Sequence, residues 1–192
     1  MASPAPSYDT SLPDLSLNKA ESCSSELFSL VYGAFTVQLL QDEHDDVVEV
    51  NRILDRVGCN IGNRIVDEFI IQTGINNCRS FKETAEIIGR HAFKMFLGAP
   101  ATVQNWSEDG NAFSLILPTK DNPLVDFVEL PERYADLNMC GILAGVIRGA
   151  LEMIQIRSEV SIVKDSLQGD EHTEIRVVRK SVERESFNPD DE

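Results

Sequence analysis

Apolar residues recur along this chain with a helical period as far as about residue 98, and with a period of two in the stretch that follows. From Glu26, the positions Leu27, Phe28, Leu30, Val31, Ala34, Phe35 and Leu39 predict a first helix that turns these residues inward, with Ser24 or Ser25 as its cap. The acidic run Asp42-Glu-His-Asp-Asp46 then reads as a solvated turn whose last aspartates sit at the positive start of the next helix. A second helix carries two adjacent apolar rows: Ile53, Val57, Ile61, Ile65 and Phe69, and beside it Val50, Leu54, Gly58, Gly62, Val66 and Ile70. Two rows predict a wide buried face, and Gly58 and Gly62, one turn apart, invite close approach by a neighbour. Gly74-Ile-Asn-Asn is a break. Ser80-Phe-Lys-Glu83 fits a capping box that opens a third helix, with Phe81, Ala85, Ile88, Ala92, Phe93 and Phe96 on its inner face and Gly98 and Pro100 at its end.

Alternation marks two hairpins. Ala101–Trp106 and Ala112–Leu117 flank the turn Ser107-Glu-Asp-Gly-Asn111, and Val160–Lys164 and Thr173–Arg179 flank Gln168-Gly-Asp170. Between them, Asn122–Pro131 reads as extended. Met139–Ile156 is apolar almost all round, which predicts a helix buried on most faces. A membrane span needs about 20 mostly apolar residues, and Arg148 and Glu152 interrupt this run, so a core helix is the better reading. Gly141, Gly145 and Gly149 recur every fourth residue, so either a second backbone or the wall of a narrow apolar cavity comes close to that stripe. Helices interleaved with hairpins predict an α+β fold: an antiparallel sheet with helices packed together on one side.

Composition narrows the possibilities. Among 192 residues, 32 acidic against 17 basic side chains give a net charge of −15, which repels phosphate backbones and anionic headgroups and argues against nucleic acid. A role at a membrane then requires a locally basic face, a lipid or another subunit. The start, Met-Ala-Ser-Pro-Ala-Pro-Ser-Tyr, lacks the charged and apolar segments of a signal peptide, so a cytosolic protein with reduced thiols is expected. Cys23, Cys59, Cys78 and Cys140 lie far apart, and neither they nor His44, His91 and His172 have metal-ligand spacing. Residues 1–20 read as a mobile arm, 21–182 as one α+β domain and 183–192 as an acidic flexible tail.

Phosphate-binding loops, the nucleophile elbow and catalytic His constellations are missing, so no catalytic residue is assigned. Cys78 stands out, two residues before a helix cap, where the helix end, Arg79 and Lys82 favour a thiolate. It is either a small structural residue at the start of a helix or a nucleophile that accepts an acyl group, with an apolar channel left beside it by the glycine rows and by Ala92.

Ser25-Glu-Leu-Phe-Ser-Leu-Val-Tyr-Gly-Ala34, Gly62-Asn-Arg-Ile-Val-Asp-Glu-Phe69, Phe93-Lys-Met-Phe-Leu-Gly98 and Asn105-Trp-Ser107 with Phe113–Leu117 resemble, in order, the Bet-three family of subunits of the transport protein particle (TRAPP) complex. So do Asn122–Pro131, Arg148-Gly-Ala-Leu-Glu-Met153 and Gly169-Asp-Glu-His-Thr-Glu-Ile-Arg176. The resemblance implies four main helices on one side of a twisted antiparallel sheet, and a non-catalytic core subunit of a vesicle-tethering assembly that acts in nucleotide exchange on a Rab GTPase between endoplasmic reticulum and Golgi. It implies sister TRAPP subunits as partners, a homodimer when the chain is alone, and a cytoplasmic protein held peripherally at cis-Golgi and endoplasmic reticulum membranes. It further implies that Cys78 carries palmitate or a similar fatty acyl chain, in a channel lined by Ala92 and by Gly141, Gly145 and Gly149. The acidic tail, with Phe187, Asp190, Asp191 and Glu192, would contact the GTPase. An exchangeable lipid carrier and an enzyme with Cys78 as nucleophile are the competing readings. Val31, Ala144 and Cys140 depart from the family pattern, the last two at core positions near the expected channel.

Overall fold

The Ser24 hydroxyl accepts the Leu27 N–H at 3.2 Å and starts α1, Ser25–Asp42, in a computed structural model that describes residues 23–75 and 78–180. The acidic run is a turn, in which His44 and Asp45 take positive φ and the Asp46 carboxylate caps α2, Val47–Thr73, through the Glu49 N–H at 3.1 Å. Left-handed Gly74, at φ +70°, ends α2.

The third helix, α3, begins as predicted: the Ser80 hydroxyl accepts the Glu83 N–H at 3.2 Å, while the Glu83 carboxylate reaches back to the Arg79 N–H at 2.6 Å. It is not uniform. After Phe81–Glu86 it widens into a π turn, Ile87–Ala92, before closing as Phe93–Leu97. The Phe93 N–H bonds to the Ile88 carbonyl, one residue further back than in an α-helix, and the Gly89 carbonyl instead accepts the Ala101 N–H at 2.8 Å. The chain returning past Gly98 thus lies directly on Gly89, where a Cβ would stand 2.8 Å from the Ala101 oxygen.

The predicted hairpins form β1, Thr102–Gln104, with β2, Ala112–Pro118, and β3, Ser158–Lys164, with β4, His172–Arg179. They join into one antiparallel sheet of order β1-β2-β4-β3. Its register sets Val103, Leu115, Ile175 and Ile162 in one row across all four strands, beside Phe113, Val177 and Val160. This face packs against the helices, and the opposite face carries Gln104, Ser114, Arg176 and Ser161 in the intervening row.

The buried helix predicted at Met139–Ile156 is α4, Gly141–Met153. It crosses α2 with glycines of both helices in the contact. A Cβ on Gly58 or Gly62 would stand 2.1 Å from the carbonyl oxygen of Ile142 or Val146, and one on Gly149 would stand 2.2 Å from that of Cys59. Arg148 clasps Asp55 through both terminal nitrogens, at 2.9 and 2.5 Å, and fixes the crossing at its edge.

Three expectations are corrected. In α1 the inward row is Ser29, Tyr32, Thr36 and Leu40, whereas Leu27, Leu30 and Val31 are 53%, 71% and 60% exposed. The hydroxyls explain this orientation: Ser29 donates to the Pro123 carbonyl at 2.5 Å and Tyr32 to that of Met139 at 2.7 Å, while Thr36 bonds back to Tyr32 within the helix. In α2 only the row Val50, Leu54, Gly58 and Gly62 is fully buried; the other apolar row is half-covered, with Ile61 exposed. Asn122–Pro131 is not extended, because the Asn122 side chain accepts the Leu124 N–H at 3.1 Å and its carbonyl takes the N–H groups of Val125 and Asp126, which folds the segment into successive turns.

Candidate functional site

Cys78 is half-buried between the left-handed end of α2 and the cap of α3, at the wall of a cavity of about 600 Å³. Val66 and Ile70 of α2, Thr84 and Ile87 of α3 and Leu151 of α4 surround the space beside it. Arg79, Ser80, Gln155 and Arg179 supply its polar rim. The Ser80 hydroxyl is engaged in the helix cap, and the Arg179 guanidinium lies 5.2 Å from the Phe81 ring centroid. Among the described residues, no His, Asp or Glu lines this cavity. Among these described walls, Cys78 accordingly has no side chain of the usual kind to accept a proton or activate water.

A second cavity of about 410 Å³ continues from the first between α1, α2, α3 and α4. Ile65, Ile88, Ala92, Phe96 and Ala150 are walls of both. Ala92, at the end of the π turn, thus stands at the junction of the two spaces, where its small side chain leaves them adjoining. Every other wall of the second cavity is apolar except Tyr32, whose hydroxyl is already committed to the Met139 carbonyl. Burial pushes the Tyr32 phenol well above its ordinary value, so it remains a neutral donor. A space with no unpaired polar wall group offers nothing to a polar ligand and suits a hydrocarbon chain.

The glycine stripe does something other than line this space. Gly145 and Gly149 lie against the α2 backbone and Gly141 against the Asn138 side chain at 3.5 Å, and none of the three is a wall of either cavity. At Gly145 and Gly149, close approach of a second backbone is the alternative realised. Cys140 and Ala144 are likewise buried outside the cavities. The Cys140 thiol meets the Asn122 amide at 3.3 Å, and burial, with Asp165 nearby, pushes it up to about 12. Phe187, Asp190, Asp191 and Glu192 lie outside the described residues, as does the arm at residues 1–20.

The walls that patterning did not single out as such are Ile65 and Ala150, and Phe28, Val31 and Phe35 on α1. Their apolar spacing was visible. A chain's pattern alone does not distinguish a wall from filled core. Among the described residues no helix is long and apolar enough to cross a membrane, and no cluster of three or more His, Cys, Asp or Glu could hold a metal.

Residues 28–178 match the family described as Transport protein particle (TRAPP) component. The chain is 46% identical over 166 residues to trafficking protein particle complex subunit 3 of Dictyostelium discoideum, covering 86% of this chain and 88% of that one. It is 43% identical over 175 residues to transport protein particle subunit bet3 of Schizosaccharomyces pombe, covering 91% and 93%. The crystal structure of a trafficking protein particle complex subunit 3 from Naegleria fowleri, covalently bound to palmitic acid, superposes with a TM-score of 0.76 at 45% identity, covering 82% of this chain and 95% of that one. An H-NOX protein from S. oneidensis, at 11% identity and a TM-score of 0.55 with 84% and 79% covered, shares the fold alone.

Proposed function

Because the chain belongs to the TRAPP component family, we propose that it is a Bet-three-type core subunit of a vesicle-tethering complex, a non-catalytic part of an exchange factor for a Rab GTPase. In this reading Cys78 carries a palmitoyl or similar chain by thioester linkage, and the chain fills the two adjoining cavities as part of the core. The observation that carries it is the run of apolar space from Cys78 past Ala92 to α1, with no His, Asp or Glu lining either space among the described residues. A bound hydrocarbon chain removes that space from water, and the lack of a base favours a retained thioester over hydrolysis. The covalent palmitate of the Naegleria fowleri relative supports the same assignment.

The protein works in the cytoplasm and attaches peripherally to cis-Golgi and endoplasmic reticulum membranes through the assembly. The exposed apolar residues of α1, with the half-covered row of α2, form the surface for sister subunits, or for a second copy when the chain is alone. Purification from the native cell tests the reading in one preparation. Sister subunits should accompany the chain, the complex should speed nucleotide release from a Rab, and the intact mass should carry an acyl increment that neutral hydroxylamine removes. A lipid that dissociates without hydroxylamine would instead establish an exchangeable carrier, and turnover without a retained adduct an enzyme.

A further inference from the structure

Phe28, Val31 and Phe35 have two roles that meet in one place: they wall the second cavity, and they belong to the exposed apolar face of α1. Across the space, Ile61 of α2 and Phe96 of α3 are walls that also reach solvent, whereas Leu143 and Ile147 beneath them are buried. This end of the cavity is therefore a groove with an apolar floor and an open top. A hydrocarbon chain lying in it keeps one side in water and realises only part of its transfer free energy. Whatever covers α1 also roofs the groove.

The charge pattern says what that cover is. From Leu27 to Gln41 no residue is charged. In a chain of net charge −15, two copies repel unless they meet on faces free of carboxylates, and α1 offers such a face. A strongly basic partner would find no carboxylate on it to pair with. Residues on one self-complementary face suit the two-fold pairing of identical chains.

We propose that the acyl site is completed by a second copy of this chain: the end of the hydrocarbon on Cys78 lies in the groove of one copy, and α1 of the paired copy closes it. This rests on the acylation of Cys78 proposed above. The continuity of the two cavities past Ala92 gives the chain its path, and the shared α1 walls join chain seating to pairing. Two events that stabilise a common surface promote each other by the same factor. Acylation thereby tightens self-association, and self-association holds the chain in place.

The test compares self-association of the full-length protein carrying a palmitoyl group on Cys78 with that of the same protein carrying an octanoyl group, whose shorter chain ends earlier along the path. Sedimentation across a concentration series should give a dimer Kd roughly 10-fold lower for the palmitoyl form. The reciprocal arm uses Leu30→Asp, a residue 71% exposed and outside both cavities. It should sediment as a monomer and lose its palmitoyl group to neutral hydroxylamine faster by a similar factor. An equal Kd for the two chain lengths, or an unchanged release rate in a monomeric Leu30→Asp, overturns the coupling while leaving acylation standing. Monomer at every concentration with the palmitoyl chain in place removes the second copy as the cover. A Cys78 that carries no chain in native protein and takes none on exposure to palmitoyl donors withdraws the reading on which the proposal rests.

Discussion

The carbonyl oxygen of Asp55 on α2 occupies the space in which a side chain on Gly145 of α4 would begin, 2.1 Å from where its Cβ would stand. The reverse contact, of Gly58 and Gly62 against α4, makes the crossing reciprocal, so neither helix can yield without moving the other. Gly145→Ala is expected to destabilise the fold by about 3 kcal/mol or more, through overpacking against rigid backbone. Gly33, in the middle of α1, has nothing within 4 Å of its Cβ position. Gly33→Ala should stabilise by about 0.5–1 kcal/mol, the ordinary gain of Ala over Gly in a helix. Thermal or denaturant unfolding of both variants checks the contrast, and equal effects would deny the crossing its role.

Ala92 is a wall of both cavities, so Ala92→Leu places a branched side chain at the junction between them. Burying about 14 methylenes of the proposed acyl chain at ~0.8 kcal/mol each would contribute on the order of 11 kcal/mol as an upper bound. At about 2–4 °C per kcal/mol for a chain of this size, losing a third of that lowers the Tm by roughly 10 °C. Cys78→Ser should show a similar loss, and the double variant little more, because both remove one seated chain. Intact mass and calorimetry on the three variants decide. An Ala92→Leu protein with the parental adduct and the parental Tm would contradict the path.

On the outer face of the sheet, Glu174 is held by hydrogen bonds. The Ser114 hydroxyl, then the Asn105 amide at 2.9 Å and Lys164 at 3.2 Å, keep its carboxyl below the usual value of 4.5. A depressed carboxylate stabilises the fold above its unfolded pKa, and that contribution is lost as pH falls through the folded value. Glu174→Gln should therefore lower the Tm at neutral pH, and the gap to the parent should narrow as the solution is acidified below about pH 4.5. Calorimetry across the acid range reads it. A gap that stays constant with pH would mean that the carboxylate's charge contributes nothing.

The family resemblance implies that residues 183–192, with Phe187 and Pro189 among their carboxylates, reach the nucleotide and magnesium site of the GTPase. In the proposed exchange role, deleting them should slow nucleotide release from the cognate Rab by the assembled complex roughly 10-fold, equivalent to ~1.4 kcal/mol. The Tm and subunit assembly should not change. Full-rate exchange by the shortened protein would leave this segment a solubilising role only.

Much of this architecture is legible in the residues themselves. Period-two alternation placed both hairpins within a few residues, because each strand has one face on the core. Ser24, Asp46 and Ser80 cap the helices at the positions their side chains imply. The orientation of α1 was not legible, since an apolar row looks the same whether its partner is the core of one chain or another subunit, and three hydroxyl groups decide the matter by finding acceptors inside. The glycine stripe announced close approach without naming what approaches. Cys78 stood out by its place before a cap, whereas the space beside it depends on where α2, α3 and α4 meet, which no local pattern encodes.

The π turn at Ile87–Ala92 bears on how the chain can vary. A π turn holds one residue more than the α turn it replaces, so this stretch is counted by length rather than by composition. Removing a single residue from it would let the helix close as a regular α-helix, with the turns on either side kept near their places. The Gly89 carbonyl would then exchange Ala101 for a neighbour within the helix, and the chain returning past Gly98 would lose its hydrogen bond to the turn. A one-residue deletion here would therefore keep the helix whole and detach the strand that returns onto it. In this segment spacing is itself the inherited information.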